Sequence, residues 1–198
     1  MVNVNDLRAG YQRFYKKYFT KDHSLYDTLV KEGQSPKTMA IACSDSRTDP
    51  AILLDTKPGD LFVVRNVASL VPPYQPDHRT YHGVSAALEF AVCHLNVENI
   101  IVIGHSDCAG IRAMIHRLPS DADFITPWVN IAQKACTHMD PLSPSLSSCI
   151  QGSVQISLEN LLTFPWIKKR IEEKVLDIHG WYFDMSTGQL QEITTSPL

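Results

Sequence analysis

The apolar positions of this chain form two patterns, one of which predicts buried strands. Three short runs, "TMAIA" (38–42), "LFVVR" (61–65) and "NIIVIG" (99–104), are almost continuously apolar and rich in β-branched residues. Strands of a parallel sheet have this pattern because helices cover both faces of the sheet. The sequence therefore predicts three parallel strands in the interior of a sheet.

The second pattern is helical spacing, seen most clearly between the second and third runs. In "GVSAALEFAVCHL" (83–95), apolar side chains recur every three or four positions, which predicts a helix joining two parallel strands in a right-handed crossover. We predict further helices over 5–18 (opened by Asn5 or Asp6), 109–118, 124–139, 154–163 and 165–174, with a Pro- and Ser-rich break over 140–153.

The C-terminal segment completes the predicted fold. Residues 174–194 indicate a strand, a turn at 186–188 and a returning strand. The expected class is α/β, with a mostly parallel central sheet of about four parallel strands and an antiparallel C-terminal strand, flanked by helices. A chain of 198 residues suits a single domain over 1–198, with an N-terminal helical arm over about 1–30.

Charge and composition narrow the possible partners. The net charge of −3 provides no basic surface for nucleic acid, and no apolar run approaches the length of a membrane span. The N-terminus has no apolar signal-peptide core, so we expect a cytoplasmic protein with neither nucleic acid nor membrane as a partner. Five cysteines at irregular spacing favour metal or core roles over disulfides in that compartment.

Chemically active side chains follow the first and third predicted strands. Cys43 ends the first run, while His105 and Cys108 follow the third. Ligands bind at the carboxyl ends of parallel strands, and two thiolates with one imidazole can hold zinc with a fourth position open. Two alternatives remain at this point. Each cysteine can be a small buried side chain, or Cys43 and Cys108 can form a redox disulfide.

An acid and a base lie close to Cys43 in the sequence. Asp45 can accept a hydrogen bond from a metal-bound water or hydroxide and so orient it. Arg47 can keep that carboxylate ionised and off the metal through a bidentate contact. The alternative is a surface ion pair that contributes little.

These residues belong to segments that resemble the β-class carbonic anhydrases, especially the plant-type branch. The similar segments are "GQSPKTMAIACSDSR" (33–47), "PGDLFVVRNVASLVPPY" (58–74), "YHGVSAALEFAV" (81–92), "VENIIVIGHSDCAG" (97–110) and "GWYFDMSTGQL" (180–190). The resemblance implies reversible hydration of carbon dioxide to bicarbonate and a proton. One zinc ion per chain would be bound by Cys43, His105 and Cys108. Zinc-bound hydroxide would attack, oriented by Asp45 and Arg47.

The resemblance also implies a set of substrate-binding residues. They are Gln34, Phe62, Val67, Phe90 and the backbone amide of Ala109. The family usually has glycine where this chain has Ala109, so a positive φ would be costly there. Gln34 and the plant-like segments favour an open site with water on zinc, rather than one closed by Asp45. Two thiolate ligands make the bound water less acidic, so activity should rise toward alkaline pH.

The family assembles with active sites lined by two chains, which implies a homodimer or homotetramer here. The aromatic N-terminal helix fits such an assembly, because a chain of this size would struggle to bury it alone. Two other functions remain. One is hydrolysis of carbonyl sulfide or carbon disulfide on the same scaffold, and the other is non-catalytic zinc binding.

Overall fold

A computed structural model describes residues 2–20, 24–76, 81–116, 122–136 and 145–194. The three apolar runs form strands, and the C-terminal segment forms a hairpin, as predicted. The strands are β1 (Thr38–Cys43), β2 (Leu61–Asn66), β3 (Asn99–His105), β4 (Asp177–Asp184) and β5 (Gln189–Ile193). Their order is β2-β1-β3-β4-β5, in which only the β4–β5 pair of the described sheet is antiparallel. The predicted α/β fold is confirmed.

Strand β1 lies between β2 and β3, and its residues Met39–Ala42 are almost completely buried. In the parallel register, Cys43 pairs with Asn66 of β2, and Ala42 pairs with Ile103 of β3. The carboxyl ends of the three strands therefore meet at one edge of the sheet. The residues that follow each strand therefore lie along this edge.

Helices cover the sheet and connect its strands. The helices are α1 (Val4–Tyr15), α2 (Ser24–Glu32), α3 (Pro50–Leu53), α4 (Gly83–Glu89), α5 (Ala109–His116), α6 (Ile125–Val129), α7 (Leu146–Leu161) and α8 (Pro165–Glu172). The predicted helix over 83–95 is confirmed as α4 and a π-helical turn over Phe90–His94. None of the helices in the described residues is long and apolar enough to cross a membrane.

Two helix predictions were wrong in their bounds. Helix α7 begins at Leu146 rather than at 154, so the predicted break over 140–153 holds a helical segment. Its first turns contain small residues that favour a loop, but Gly152 lies against the Ala135 backbone so closely that no side chain would fit. The predicted helix over 124–139 is the short α6 and a 3-10 turn at Asn130–Ala132, and residues 137–139 lie outside the described ranges.

The prediction that the cysteines have metal or core roles rather than disulfides was wrong for two of them, and the same packing explains why. Cys136 and Cys149 form a disulfide with Cα atoms 4.4 Å apart, although the sequence favoured metal or core roles. Close contact between α7 and the segment around Ala135 brings the two residues together. The other three cysteines, Cys43, Cys93 and Cys108, are free thiols.

The chain divides into two compact units, Met1–Ser35 and Pro36–Leu198. The first unit contains α1 and α2 and matches the predicted helical arm. Helix α1 is capped by Asn3 rather than by Asn5 or Asp6, because the Asn3 side chain accepts from the Asn5 and Asp6 amides. The larger unit contains the whole sheet. A single functional domain over 1–198 stays a prediction.

Candidate metal centre

Three potential metal ligands meet at the carboxyl edge of the sheet. Cys43 ends β1, His105 ends β3, and Cys108 precedes α5. Their ligand atoms all lie within 4.8 Å of one another, and all three residues are buried. Strand pairing brings the first two together, and the short turn after β3 adds the third. The structure thus joins the three residues that the sequence predicted as ligands.

The imidazole of His105 is oriented so that its Nε2 could bind a metal ion. Its Nδ1 lies 2.8 Å from the Ser106 carbonyl, which can only accept, so Nδ1 carries the hydrogen. Nε2 is buried and has no hydrogen-bond partner among the described residues. Metal-binding histidines are commonly held in this way by a carbonyl on the other nitrogen. A metal ion in the cluster would satisfy the unpaired nitrogen, so the residues fit such an ion.

The thiols of Cys43 and Cys108 shift each other's pKa in opposite directions. The hydrogen bond from Cys108 lowers the pKa of Cys43, against the opposing effect of burial. The same bond, together with burial, raises the pKa of Cys108. Burial acts to lower the pKa of His105, but contacts with Cys43 and Ser106 outweigh it and the pKa is raised. Because metals bind thiolates and neutral imidazole, metal binding here would release protons.

Asp45 and Arg47 form a bidentate pair beside the ligands. Arg47 donates from Nε to Asp45 Oδ1 (2.9 Å) and from Nη2 to Oδ2 (2.7 Å). Asp45 Oδ2 lies 4.0 Å from Nε2 of His105. The hydrogen bonds from Arg47 hold the pKa of Asp45 well below its usual range. The carboxylate is therefore an ionised acceptor next to the metal ligands.

Sequence reasoning missed the role of Arg65 in holding this loop. From β2, Arg65 donates from Nε to the Cys43 carbonyl (2.9 Å) and from Nη2 to the Asp45 carbonyl (2.7 Å). Its Nη1 pairs with Asp49 Oδ2 at 2.8 Å. The available signal was a charged residue near the end of an otherwise apolar strand that neighbours the strand of Cys43. Arg65 fixes the backbone on which Asp45 is carried.

The turn after β2 lies next to the cluster. The Ala68 amide donates to Cys43 Sγ at 3.4 Å, and both Ala68 (φ 68°) and Ser69 (φ 57°) have left-handed backbone conformations. The Val67 carbonyl accepts from Trp128 Nε1 at 2.8 Å. Val67, which the resemblance implies as a substrate contact, is therefore close to a metal ligand and partly exposed.

The expected strain at Ala109 does not arise. Ala109 begins α5 and, among the described residues, is not one of those with positive φ; Asp107 has this conformation instead (φ 57°). The position that requires glycine is the next one. A Cβ on Gly110 would lie 2.7 Å from Val67 Cγ1 and 3.0 Å from Ala68 Cβ. The alanine is tolerated because the turn places its positive φ two residues earlier.

Two of the implied substrate contacts, Phe62 and Phe90, lie away from the cluster. Phe62 and Phe90 contact each other with ring centres 5.9 Å apart. Phe62 pairs with Met39, four residues before Cys43, and so lies about 13 Å along the strands from the cluster. Gln34 is exposed and belongs to the N-terminal unit. The roles of these residues stay predictions.

Comparison with known proteins identifies the family. The family model for carbonic anhydrase matches residues 38–190. β carbonic anhydrase 3 of Arabidopsis thaliana is 36% identical over an alignment of 195 positions, and the aligned regions cover 93% of this chain and 74% of that protein. The chain belongs to the β-carbonic anhydrases. Among solved structures, the β-carbonic anhydrase CcaA has a TM-score of 0.83 and 28% identity, with 98% of both chains covered.

A second similar solved structure is described as tetrameric. It comes from work on two tetrameric β-carbonic anhydrases of Sordaria macrospora, with a TM-score of 0.74, 28% identity and coverage of 98% of this chain and 95% of that one. As a β-carbonic anhydrase, the chain belongs to a class of metalloenzymes whose substrates are carbon dioxide and bicarbonate. The Cys43–His105–Cys108 cluster is where this chain can hold a metal.

Proposed function

We propose that the chain hydrates carbon dioxide reversibly, giving bicarbonate and a proton, with one zinc ion held by Cys43, His105 and Cys108. The observation that carries this proposal is the unpaired, buried Nε2 of His105 facing two free thiols. Two sulfurs and one imidazole suit zinc and leave a fourth position for water. The proposed location is the cytoplasm, on the sequence grounds given above.

Each group beside the cluster has a separate task in this proposal. Bound zinc supplies Lewis-acid chemistry, which makes water a nucleophile near neutral pH. Asp45 accepts a hydrogen bond from the nucleophile and so orients it toward the substrate carbon. Arg47 keeps Asp45 ionised and in place through its two-point contact. Carbon dioxide carries no charge, so apolar walls and an amide donor suffice to hold it.

We further propose that two chains complete each site, in a homodimer or homotetramer. Phe62 and Phe90 lie far from the cluster of their own chain, yet Phe90 is 43% exposed. They are therefore available to line a neighbour's substrate pocket. Gln34 is proposed to hydrogen-bond the substrate, with Val67 and the Ala109 amide contacting it next to the metal. The similar tetrameric structure supports an even assembly.

Stopped-flow hydration of carbon dioxide, with zinc counted in the same sample, tests the function. We expect one zinc per chain and activity that rises from pH 6.5 to 9, because two thiolates make bound water less acidic. Asp45→Asn should lose about a hundredfold or more in kcat with zinc retained. The control Asp55→Asn removes an exposed aspartate and should leave the rate unchanged.

Two outcomes would contradict the proposal. Full zinc without hydration at any pH excludes the anhydrase, and carbonyl sulfide and carbon disulfide are then assayed as substrates of the same sample. If Asp45→Asn keeps the rate of the unmodified enzyme, Asp45 has no part in orienting the nucleophile. A steep alkaline onset from near-zero activity would indicate a site closed by Asp45 at lower pH.

A further inference from the structure

Asp107 occupies the turn between two of the metal ligands, His105 and Cys108. Its φ of 57° is left-handed, a conformation that aspartate and asparagine adopt more readily than most residues. The side chain is about half exposed and does not point to the cluster as a ligand. In this conformation both its carbonyl oxygen and its carboxylate face Arg47.

Two arginines hold the Asp107 side chain. Arg47 donates from Nη1 to Asp107 Oδ2 (3.3 Å) and from Nη2 to the Asp107 carbonyl oxygen (3.3 Å). Arg112 of α5 donates from Nη2 to Asp107 Oδ1. The charges of Asp45, Arg47, Asp107 and Arg112 therefore alternate along one connected network. The carboxylate of Asp107 bridges the two guanidinium groups.

This network gives Arg47 a second point of attachment. The Arg47 side chain is 49% exposed, and an isolated ion pair with such exposure competes with water and contributes little. Donor groups shared among several partners in a network are held more firmly. The Asp107 carboxylate binds Nη1, the guanidinium nitrogen that does not contact Asp45, and the Asp107 carbonyl oxygen shares Nη2 with Asp45. Without it, the guanidinium and Asp45 Oδ2 can rotate together about Oδ1, which the Arg47 backbone amide also holds at 2.9 Å.

The position of the Asp45 carboxylate makes such a rotation of the side chains important. Its Oδ2 is already 4.0 Å from His105 Nε2, so a small rotation would bring the carboxylate to a metal held there. We propose that Asp107, together with Arg112, is a positioning residue for the reaction: it holds Arg47 in the orientation that keeps Asp45 beside the metal and off it. This inference rests on the function proposed above.

Asp107→Asn tests the inference with little change to the backbone. Asparagine also adopts a left-handed φ and keeps the backbone carbonyl, but its amide nitrogen cannot accept from arginine. We expect one zinc per chain, a KM close to that of the unmodified enzyme and a kcat lowered about tenfold. We also expect slower release of zinc to a chelator, because Asp45 then adds a fourth protein ligand.

A matched control and a second variant separate this role from a general structural one. Asp55 is exposed and also left-handed (φ 49°), so Asp55→Asn makes the same substitution on the same backbone conformation and should change neither readout. Arg112→Gln removes the other end of the bridge from outside the metal turn. Like Asp107→Asn, it should lower kcat and slow the release of zinc. Because both variants break one network, the double variant should lower kcat by less than the two separate effects combined.

The outcomes distinguish this inference from the proposed function. If Asp107→Asn retains zinc with kcat within about twofold of the unmodified enzyme, Asp107 is not a positioning residue. If that variant unfolds or loses zinc, Arg112→Gln decides, and unchanged kcat and zinc release would overturn the inference. Loss of activity in Asp45→Asn together with full activity in Asp107→Asn and Arg112→Gln would overturn this inference alone, whereas full zinc without hydration in the unmodified enzyme would overturn the proposed function.

Discussion

At the scale of single residues, Asp45 is fixed by two arginines in two different ways. Arg47 holds the carboxylate, and Arg65 bonds to the carbonyl oxygens of Asp45 and Cys43. The side chain and main chain of Asp45 are therefore held independently, one from its own loop and the other from β2. In the proposed reaction, this preorganisation would place the acceptor before the substrate arrives, so that little reorganisation is needed.

The contact with Arg47 predicts a specific loss of stability in acid. The pKa of folded Asp45 is lowered below the value of about 3.9 in an unfolded chain. Its contribution to stability is therefore complete above that value and is lost progressively as the pH falls from it toward the lower pKa of the folded state. We expect the free energy of unfolding to fall less between pH 6 and 3 in Asp45→Asn than in the unmodified protein.

Urea unfolding at several pH values, with a chelator present so that metal loss plays no part, measures this difference. Asp55→Asn is the control and should follow the unmodified protein, since the contact with Arg47 is intact. Equal acid sensitivity of Asp45→Asn and the unmodified protein would show that the ion pair adds no stability.

The Cys43–His105–Cys108 cluster and the Asp45–Arg47 pair could be predicted from sequence, whereas the contacts of Arg65 and Arg112 could not. Cys43, His105 and Cys108 have distinctive side chains, and the strand-end rule brings them to one edge of the sheet. The partners of Arg65 and Arg112 depend instead on loop conformation and on a left-handed residue at Asp107. No spacing in the sequence encodes these conformations.

At the scale of elements, the start of α5 packs against the turn that follows β2. Gly110 lies against Val67 and Ala68, and the Ala68 amide contacts Cys43. The position of α5 also determines the position of Cys108, which directly precedes it. The close packing of these two elements therefore holds Cys43 and Cys108 near each other.

Gly110→Ala tests this contact. The added Cβ would lie 3.0 Å from Ala68 Cβ, and the Ala68 backbone must shift to accommodate it. We expect a loss of about 1–3 kcal/mol in the free energy of unfolding and a lower zinc content, measured by denaturation and by metal analysis. In Gly83→Ala, a Cβ meets nothing within 4 Å among the described residues, so both quantities should stay near those of the unmodified protein. Full zinc and unchanged stability in Gly110→Ala would contradict the argument.

Elements with strong periodicity were predicted, and those formed by tertiary packing were not. The apolar runs of β1 and β3 and the helical spacing of 83–95 gave the correct structure. The first half of α7 contains Ser147, Ser148 and Gly152, which have weak helix propensity, yet it is helical because small residues allow close packing on Ala135. The Cys136–Cys149 disulfide follows from the same packing.

At the scale of the whole molecule, apolar side chains of the N-terminal unit indicate association. Within the described chain, α1 has no buried residue, and Leu7 (64%), Tyr11 (58%) and Tyr15 (42%) are exposed. Exposed apolar side chains on one short helix are characteristic of an interface. The two aromatic rings of Phe62 and Phe90, remote from their own cluster, add a second reason to expect a neighbouring chain.

Light scattering coupled to size exclusion tests this expectation at micromolar concentration. We expect an even multiple of the 22.2 kDa chain mass for the unmodified protein. The double variant Leu7→Ser/Tyr11→Ser removes apolar contact area and should give a smaller assembly with lower kcat, because a site lined by two chains loses part of its wall. Gln12→Ser changes an exposed polar residue of the same helix and should keep both assembly and rate. A fully active monomer of unmodified protein would contradict the shared site, and would require Phe62 and Phe90 to act elsewhere.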